Sequence, residues 1–175
     1  PPFRQELLKK QKEAIKKAKH AGVLSLFYPD EDMETKFVLI LRKTYKGVHS
    51  AQVAFPGGKL EAQDASLRDT ALRETFEEVG VPIDTVQIVR SISQVYIPPS
   101  NFYVHPFIGF IQNTPQFIKQ DDEVEALIEI DLEHFLDEQS LISKKVKTSY
   151  SIEVEVPAFK LNDYVVWGAT AMMLS

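Results

Sequence analysis

Residues 65–79 (ASLRDTALRETFEEV) restrict the fold and chemistry of this chain more than any other segment. They read as a helix, stopped by Gly80 and followed by Pro82, the expected helix ending. Projected at about 100° per residue, Ala65, Leu72, Phe76 and Val79 fall on one stripe, predicted to face the core. Glu74, Glu77 and Glu78 gather on roughly the opposite side. Arg73 lies at the edge between the two, within i,i+4 reach of Glu77. This pattern is costly. Glu74 and Glu78 are like charges at i,i+4, which destabilises a helix by about 0.2–0.5 kcal/mol. Glu77 and Glu78 occupy the last turn, where the helix dipole disfavours each anion by about 0.3–1 kcal/mol. A helix selected for stability alone would carry Lys or Arg there. Function is expected where a local rule is broken in this way. A bound divalent cation would remove the repulsion, and clustered carboxylates are hard oxygen ligands suited to Mg2+ or Mn2+. Taken alone, the helix reads first as an acidic solvated face.

The segment before it narrows the choice. Phe55-Pro56-Gly57-Gly58-Lys59-Leu60 places two glycines in a tight turn. Without a Cβ, such a turn can approach a ligand closely, aiming a carbonyl at a metal or peptide N–H groups at phosphate. Glycine turn, loop and acidic helix ending in glycine is a rarer combination than any of its parts.

Around this centre the chain reads as alternating strands and few helices, an α/β layered domain. Residues 5–20 read as a Lys-rich helix with a solvated face. Residues 23–27, 37–41, 52–55, 86–97, 102–111 and 124–130 read as strands. Residues 132–136 read as a short helix, 145–159 as a late hairpin, and 167–174 as a C-terminal helix. Trp167 reads as a core anchor. Tyr96, Phe102 and Tyr103 read as packing residues that could also stack on a base. His20, His105 and His134 are scattered and receive no role. The expected organisation is an N-terminal helix over residues 1–21, packed on a catalytic domain over residues 22–175.

Composition excludes several classes. With 175 residues, one domain is expected. A net charge of -5 argues against nucleic acid as the partner. The absence of Cys rules out disulfides, thiolate metal sites and Cys nucleophiles. The longest apolar runs have strand length, so no membrane span is expected. The sequence opens on Pro1 and Pro2 rather than Met, as a trimmed chain would, and no stretch reads as a signal peptide. Cytoplasmic is the expected location.

Arg73-Glu74-Thr75-Phe76-Glu77-Glu78-Val79-Gly80-Val81 resembles the second half of the Nudix hydrolase motif, with Thr75 at an apolar position. The first half departs from it: five residues after Gly58 stands Asp64 rather than Glu, and eight residues rather than seven separate Asp64 from Arg73. The coenzyme A pyrophosphatase branch shares this departure. Its upstream signature is similar to residues 39–43 (LILRK) and 49–58 (HSAQVAFPGG), with Ala51 in place of the usual Gly. Residues 98–102 and 166–171 are also similar to that branch.

The resemblance implies a Nudix fold, a mixed β-sheet sandwiched between α-helices. It implies that Arg73, Glu74, Glu77 and Glu78 are catalytic. Glu74, Glu77 and Glu78 would hold Mg2+ or Mn2+, with the Gly58 carbonyl and Glu123 as further ligands and Arg73 steadying the carboxylates. Arg42, Lys43, His49, Gln52, Gly57 and Gly58, with Lys46 nearby, would meet the substrate's phosphates. The implied substrate is coenzyme A or a derivative, cut to 3′,5′-ADP and a 4′-phosphopantetheine fragment. The implied partner is a small molecule rather than nucleic acid or membrane, with room for a homodimer. Two alternatives stay open: the same chemistry on ADP-ribose, a dinucleotide or a nucleoside triphosphate, and a nucleotide-binding module without catalysis.

Overall fold

A computed structural model describes residues 12–43, 52–147 and 153–175. Two long apolar strands organise the molecule, β1 (Lys19–Pro29) and β2 (Thr35–Arg42). Both are buried along most of their length, and alternate residues serve opposite faces. Phe37 and Leu39 join one hydrophobic cluster with Ala21 and Val23, while Val38 and Ile40 join another with Leu24 and Leu26.

The remaining strands are β3 (Val53–Ala54), β4 (Gly57–Lys59), β5 (Gln87–Ser91), β6 (Val95–Ile97), β7 (Phe102–Phe110) and β8 (Val124–Asp131). Together with β1 and β2 they form a mixed sheet whose main path runs β3-β2-β1-β7-β5. β4 pairs antiparallel with β1, β6 with β7 and β8 with β2, while β1 and β7 run parallel. A second sheet holds β9 (Leu141–Lys147), β10 (Glu153–Leu161) and β11 (Tyr164–Val166).

Helix α1 (Leu67–Val79) covers one face of the main sheet, where Ala71, Leu72 and Val79 join the second cluster. The opposite face is covered by the second sheet and two short helices, α2 (Leu132–Leu136) and α3 (Gly168–Leu174). Phe135, Phe159, Leu161 and Ala171 pack there with Phe37 and Ile130. Layers of helix, mixed sheet and helix-bearing cover give the expected α/β architecture.

Several elements differ from expectation. The N-terminal helix ends sooner: residues 12–16 are helical, and Lys19 and His20 already belong to β1. Residues 5–11 lie outside the described residues, as does the tip of the late hairpin. The strand expected over residues 86–97 is broken into β5 and β6. The short strands β4 and β11 were not foreseen, because three residues carry too little periodicity to read. No described helix is long and apolar enough to cross a membrane.

Candidate active site

Helix α1 starts cleanly. Ser66 is extended, and its hydroxyl accepts the Asp69 N–H at 3.2 Å. At the other end Gly80 takes φ 77° and its N–H closes on the Phe76 carbonyl at 2.9 Å, a left-handed cap that favours glycine.

The helix is rotated by roughly a quarter turn from the expected orientation. Phe76, placed in the core by the periodicity, is 49% exposed. Glu78, expected on the acidic outer face, is 1% exposed and among the most deeply buried side chains of the molecule. The buried face keeps Leu72 and Val79, as expected, and adds Ala71, Thr75 and Glu78 in place of Phe76. Thr75 fits there because its hydroxyl donates to the Ala71 carbonyl at 2.6 Å, leaving no buried donor unmet.

Glu78 tolerates burial because two partners meet it. Its Oε2 accepts the Gly57 backbone N–H at 2.8 Å, and its Oε1 accepts Arg42 Nη1 at 3.1 Å. These do not fully offset desolvation. Burial pushes the Glu78 carboxyl up to about 7, against the pull of Arg42 and Gly57, and Glu74 and Glu123 push it the same way. Burial also raises Glu74, which Arg73 counteracts and Glu77 and Glu123 reinforce.

Glu74 lies directly over Gly58. A Cβ on Gly58 would stand 2.3 Å from the Glu74 carboxyl carbon and 2.4–2.5 Å from its oxygens. A side chain at Gly58 would therefore displace the Glu74 carboxylate, whereas one at Gly57 (φ 149°) would meet the backbone of Gly22 and Val23 at 2.4 and 2.6 Å.

Arg73 fastens the turn, the loop and the helix together. Its Nε and Nη2 donate to the two oxygens of Asp64 at 2.8 and 3.0 Å. Nη1 reaches Glu74 Oε1 and Glu77 Oε2, each at 2.9 Å, the latter being the expected i,i+4 pair. Nη2 also donates to the Lys59 carbonyl at 3.3 Å. Asp64 further accepts the Glu61 N–H and the Thr70 hydroxyl, each at 2.9 Å. With the Arg73 guanidinium first among these causes, its carboxyl is held well below the usual carboxylate range. Asp64 was legible as the shorter acid at a motif position, but its work was not.

The other expected residues fall as follows. Arg42 ends β2 and Gln52 precedes β3, with the Arg42 N–H donating to the Gln52 carbonyl at 3.0 Å. The Lys43 N–H donates to the Glu123 carbonyl at 2.9 Å, which brings the acidic turn beside the end of β2. Glu77 is half exposed. Lys46, His49 and Ala51 lie outside the described residues. Among the described residues, no three acidic or imidazole side chains already stand as a ready-made metal cluster. The chemistry present nonetheless fits a hard divalent cation. Glu78 is a buried carboxylate raised further by the partly buried Glu74, and Glu123 adds to the rise of both. Arg42 Nε is a buried donor with no partner among the described residues, on the residue that already holds Glu78.

A cavity of about 680 Å3 opens from this turn, lined by Arg42, Gln52, Gly57 and Gly58 at one end and by Trp167 and α3 elsewhere. Trp167 is 37% exposed there, not the core anchor the sequence suggested. Nor are the histidines all scattered: His20 Nδ1 and His105 Nε2 approach to 3.1 Å across β1 and β7, with Tyr103 edge-on to both.

The family model for the NUDIX domain matches residues 17–149, and the chain belongs to the Nudix family. The peroxisomal coenzyme A diphosphatase ndx-8 of Caenorhabditis elegans is 30% identical over 155 residues, covering 87% of this chain and 64% of that protein. Nudix hydrolase 15, mitochondrial, of Arabidopsis thaliana is 31% identical over 163 residues, covering 90% of this chain and 57% of that protein. The chain thus spans less than two thirds of the length of these relatives. Among solved structures, a MutT/nudix family protein from Enterococcus faecalis superposes with a TM-score of 0.55 at 22% identity, covering 87% of this chain and 55% of that one. An Ap4A hydrolase of Caenorhabditis elegans in a binary complex gives 0.54 at 16% identity, covering 66% and 81%. These likenesses establish the fold.

Proposed function

We propose that this chain is a metal-dependent pyrophosphohydrolase acting on coenzyme A or its derivatives, releasing 3′,5′-ADP and a 4′-phosphopantetheine or acyl-phosphopantetheine fragment. The observation that carries the proposal is the pair of carboxylates, buried Glu78 and partly buried Glu74, held against the Gly57–Gly58 turn. A purely structural helix would not bury an acid whose carboxyl is left at about 7. The likeness to the coenzyme A diphosphatase supports the substrate.

In this reading Glu74 and Glu78 hold Mg2+ or Mn2+, with Glu77, Glu123 and the Gly58 carbonyl as further ligands. When bound, the ion neutralises pyrophosphate oxygens and acidifies an attacking water. Arg73 acts as a positioning residue, keeping Glu74 and Glu77 aimed while Asp64 keeps Arg73 aimed. The Gly57 N–H fixes one Glu78 oxygen and Arg42 the other. Arg42, Lys43, His49 and Gln52 are the residues assigned to the substrate's phosphates. No protein nucleophile is needed. The catalytic unit includes residues 19–21 as well as 22–175, because β1 begins at Lys19 and pairs with β7 from there. A cytoplasmic location is part of the proposal, although two relatives have peroxisomal and mitochondrial in their names.

The test is a substrate panel. Coenzyme A, ADP-ribose, NADH, diadenosine polyphosphates and nucleoside triphosphates are incubated with the protein and either metal, and the products are separated by chromatography. Release of 3′,5′-ADP from coenzyme A at the highest kcat/KM supports the proposal. Preferred cleavage of another member keeps the chemistry and rejects the substrate. Binding without cleavage of any member favours the non-catalytic module.

A further inference from the structure

The cavity beside the Gly57–Gly58 turn is larger and less polar than phosphate binding requires. Its volume of about 680 Å3 falls within the roughly 300–1,000 Å3 typical of small-molecule sites. Among the described residues, the charged side chains of its lining are Arg42, at the end of β2, and Lys59, at the end of β4 beside Gly57 and Gly58. Ile97, Pro99 and Phe102 contribute one apolar wall, and Trp167, Met172 and Met173 contribute another. Two hydroxyls of the lining are already engaged. The Tyr96 hydroxyl donates to Asn101 at 3.0 Å, and that of Thr170 donates to the Val53 carbonyl at 2.9 Å. The Thr170 bond also fastens α3 to β3, next to the strand end that carries Arg42.

A nucleobase needs donors and acceptors for its edge, and these walls offer mainly carbon and sulfur. A flexible hydrocarbon chain needs only apolar surface, and methionine adapts to chains of different length. The wall formed by Trp167, Met172 and Met173 also lies beyond residues 17–149, the span that matches the family model. It is built from the C-terminal segment, with Trp167 just before α3 and Met172 and Met173 on it.

We propose that the α3 wall, through Trp167, Met172 and Met173, is a specificity determinant that accepts an aliphatic acyl thioester arm of the substrate and favours it over the free thiol. This rests on the pyrophosphohydrolase reading above. Trp167 is the single tryptophan of the chain, so its emission reports on this cavity directly.

The experiment has two arms. In chelator, where no turnover occurs, Trp167 fluorescence is titrated with coenzyme A and with its acetyl, butanoyl and octanoyl thioesters. With metal present, kcat/KM is measured for the same four compounds on the wild type, Met172→Lys and Met172→Leu. Met172 is 63% exposed, so both variants should fold. The expected results are a blue shift that grows with chain length, and octanoyl binding at least tenfold tighter than free coenzyme A. The octanoyl-to-free ratio of kcat/KM should drop about tenfold in Met172→Lys and recover in Met172→Leu. Equal affinities for free and acylated forms, or a ratio unmoved by Met172→Lys, would overturn the inference while leaving hydrolysis intact. Absence of binding and hydrolysis for all four compounds would instead sink the underlying reading, and this inference with it.

Discussion

The backbone N–H of Gly57 donates to Glu78 Oε2 at 2.8 Å, joining the glycine turn to the one acidic side chain that α1 buries completely. Twenty-one positions separate these residues, and the bond makes turn and helix one unit. Arg42 closes the same carboxylate from β2. The site is therefore assembled from three elements rather than presented by the helix alone.

A pH dependence of stability follows. The Glu78 carboxyl holds its proton up to about pH 7 in the folded chain, against an ordinary value of 4.5. Between those values the folded state binds more protons than the unfolded state, so stability falls as pH rises through this window. At about 1.4 kcal/mol per unit, the loss is roughly 2–3 kcal/mol. Thermal melts of wild type and Glu78→Gln in chelator, at pH 5 and pH 8, should show the wild type losing more stability than the variant. Equal losses would remove Glu78 as the source.

The same proton competes with a cation. Mg2+ or Mn2+ should raise the melting temperature more at pH 8 than at pH 6, because neutral Glu78 is a poor ligand. Calorimetric titration across this range should show proton release on binding near neutral pH and tightening affinity as pH rises. A metal affinity independent of pH would contradict the assignment of Glu78.

Removing Arg42 should raise Glu78 further, since Arg42 is the largest cause opposing its rise. In Arg42→Ala the acidic limb of the pH–rate profile should shift to higher pH, and KM should increase. A change in KM alone would mean that Arg42 serves the substrate but not Glu78.

Gly58→Ala tests close approach. The new Cβ would overlap the Glu74 carboxylate. The expected outcome is a loss of kcat/KM of about 100-fold or more, the scale set by misplacement of about 1 Å. The melting temperature should fall only slightly, because Glu74 can swing outward.

Much of this was legible from local pattern. The helix ending at Gly80, the apolar strand over residues 37–41 and the Arg73–Glu77 pair all depend on neighbours in sequence, and each is found in the structure. The rotation of α1 was not legible. A helical projection ranks side chains by polarity, so it sends Phe76 inward and Glu78 outward. The partners that reverse this, Gly57 and Arg42, lie 21 and 36 positions away and leave no periodic trace. Trp167 misled for a related reason: a lone aromatic reads as core, and only the meeting of α3 with β3 makes it a cavity wall.

The central claim is that these carboxylates serve hydrolysis of a pyrophosphate link. Phosphorus-31 NMR of coenzyme A incubated with the protein and Mg2+ or Mn2+ tests it most directly. The account predicts that the paired pyrophosphate resonances are replaced by phosphomonoester resonances of 3′,5′-ADP and 4′-phosphopantetheine, with no change in chelator and at least a 100-fold slower change in Glu78→Gln. Persistent pyrophosphate resonances with both metals, or equal rates in wild type and Glu78→Gln, would contradict it.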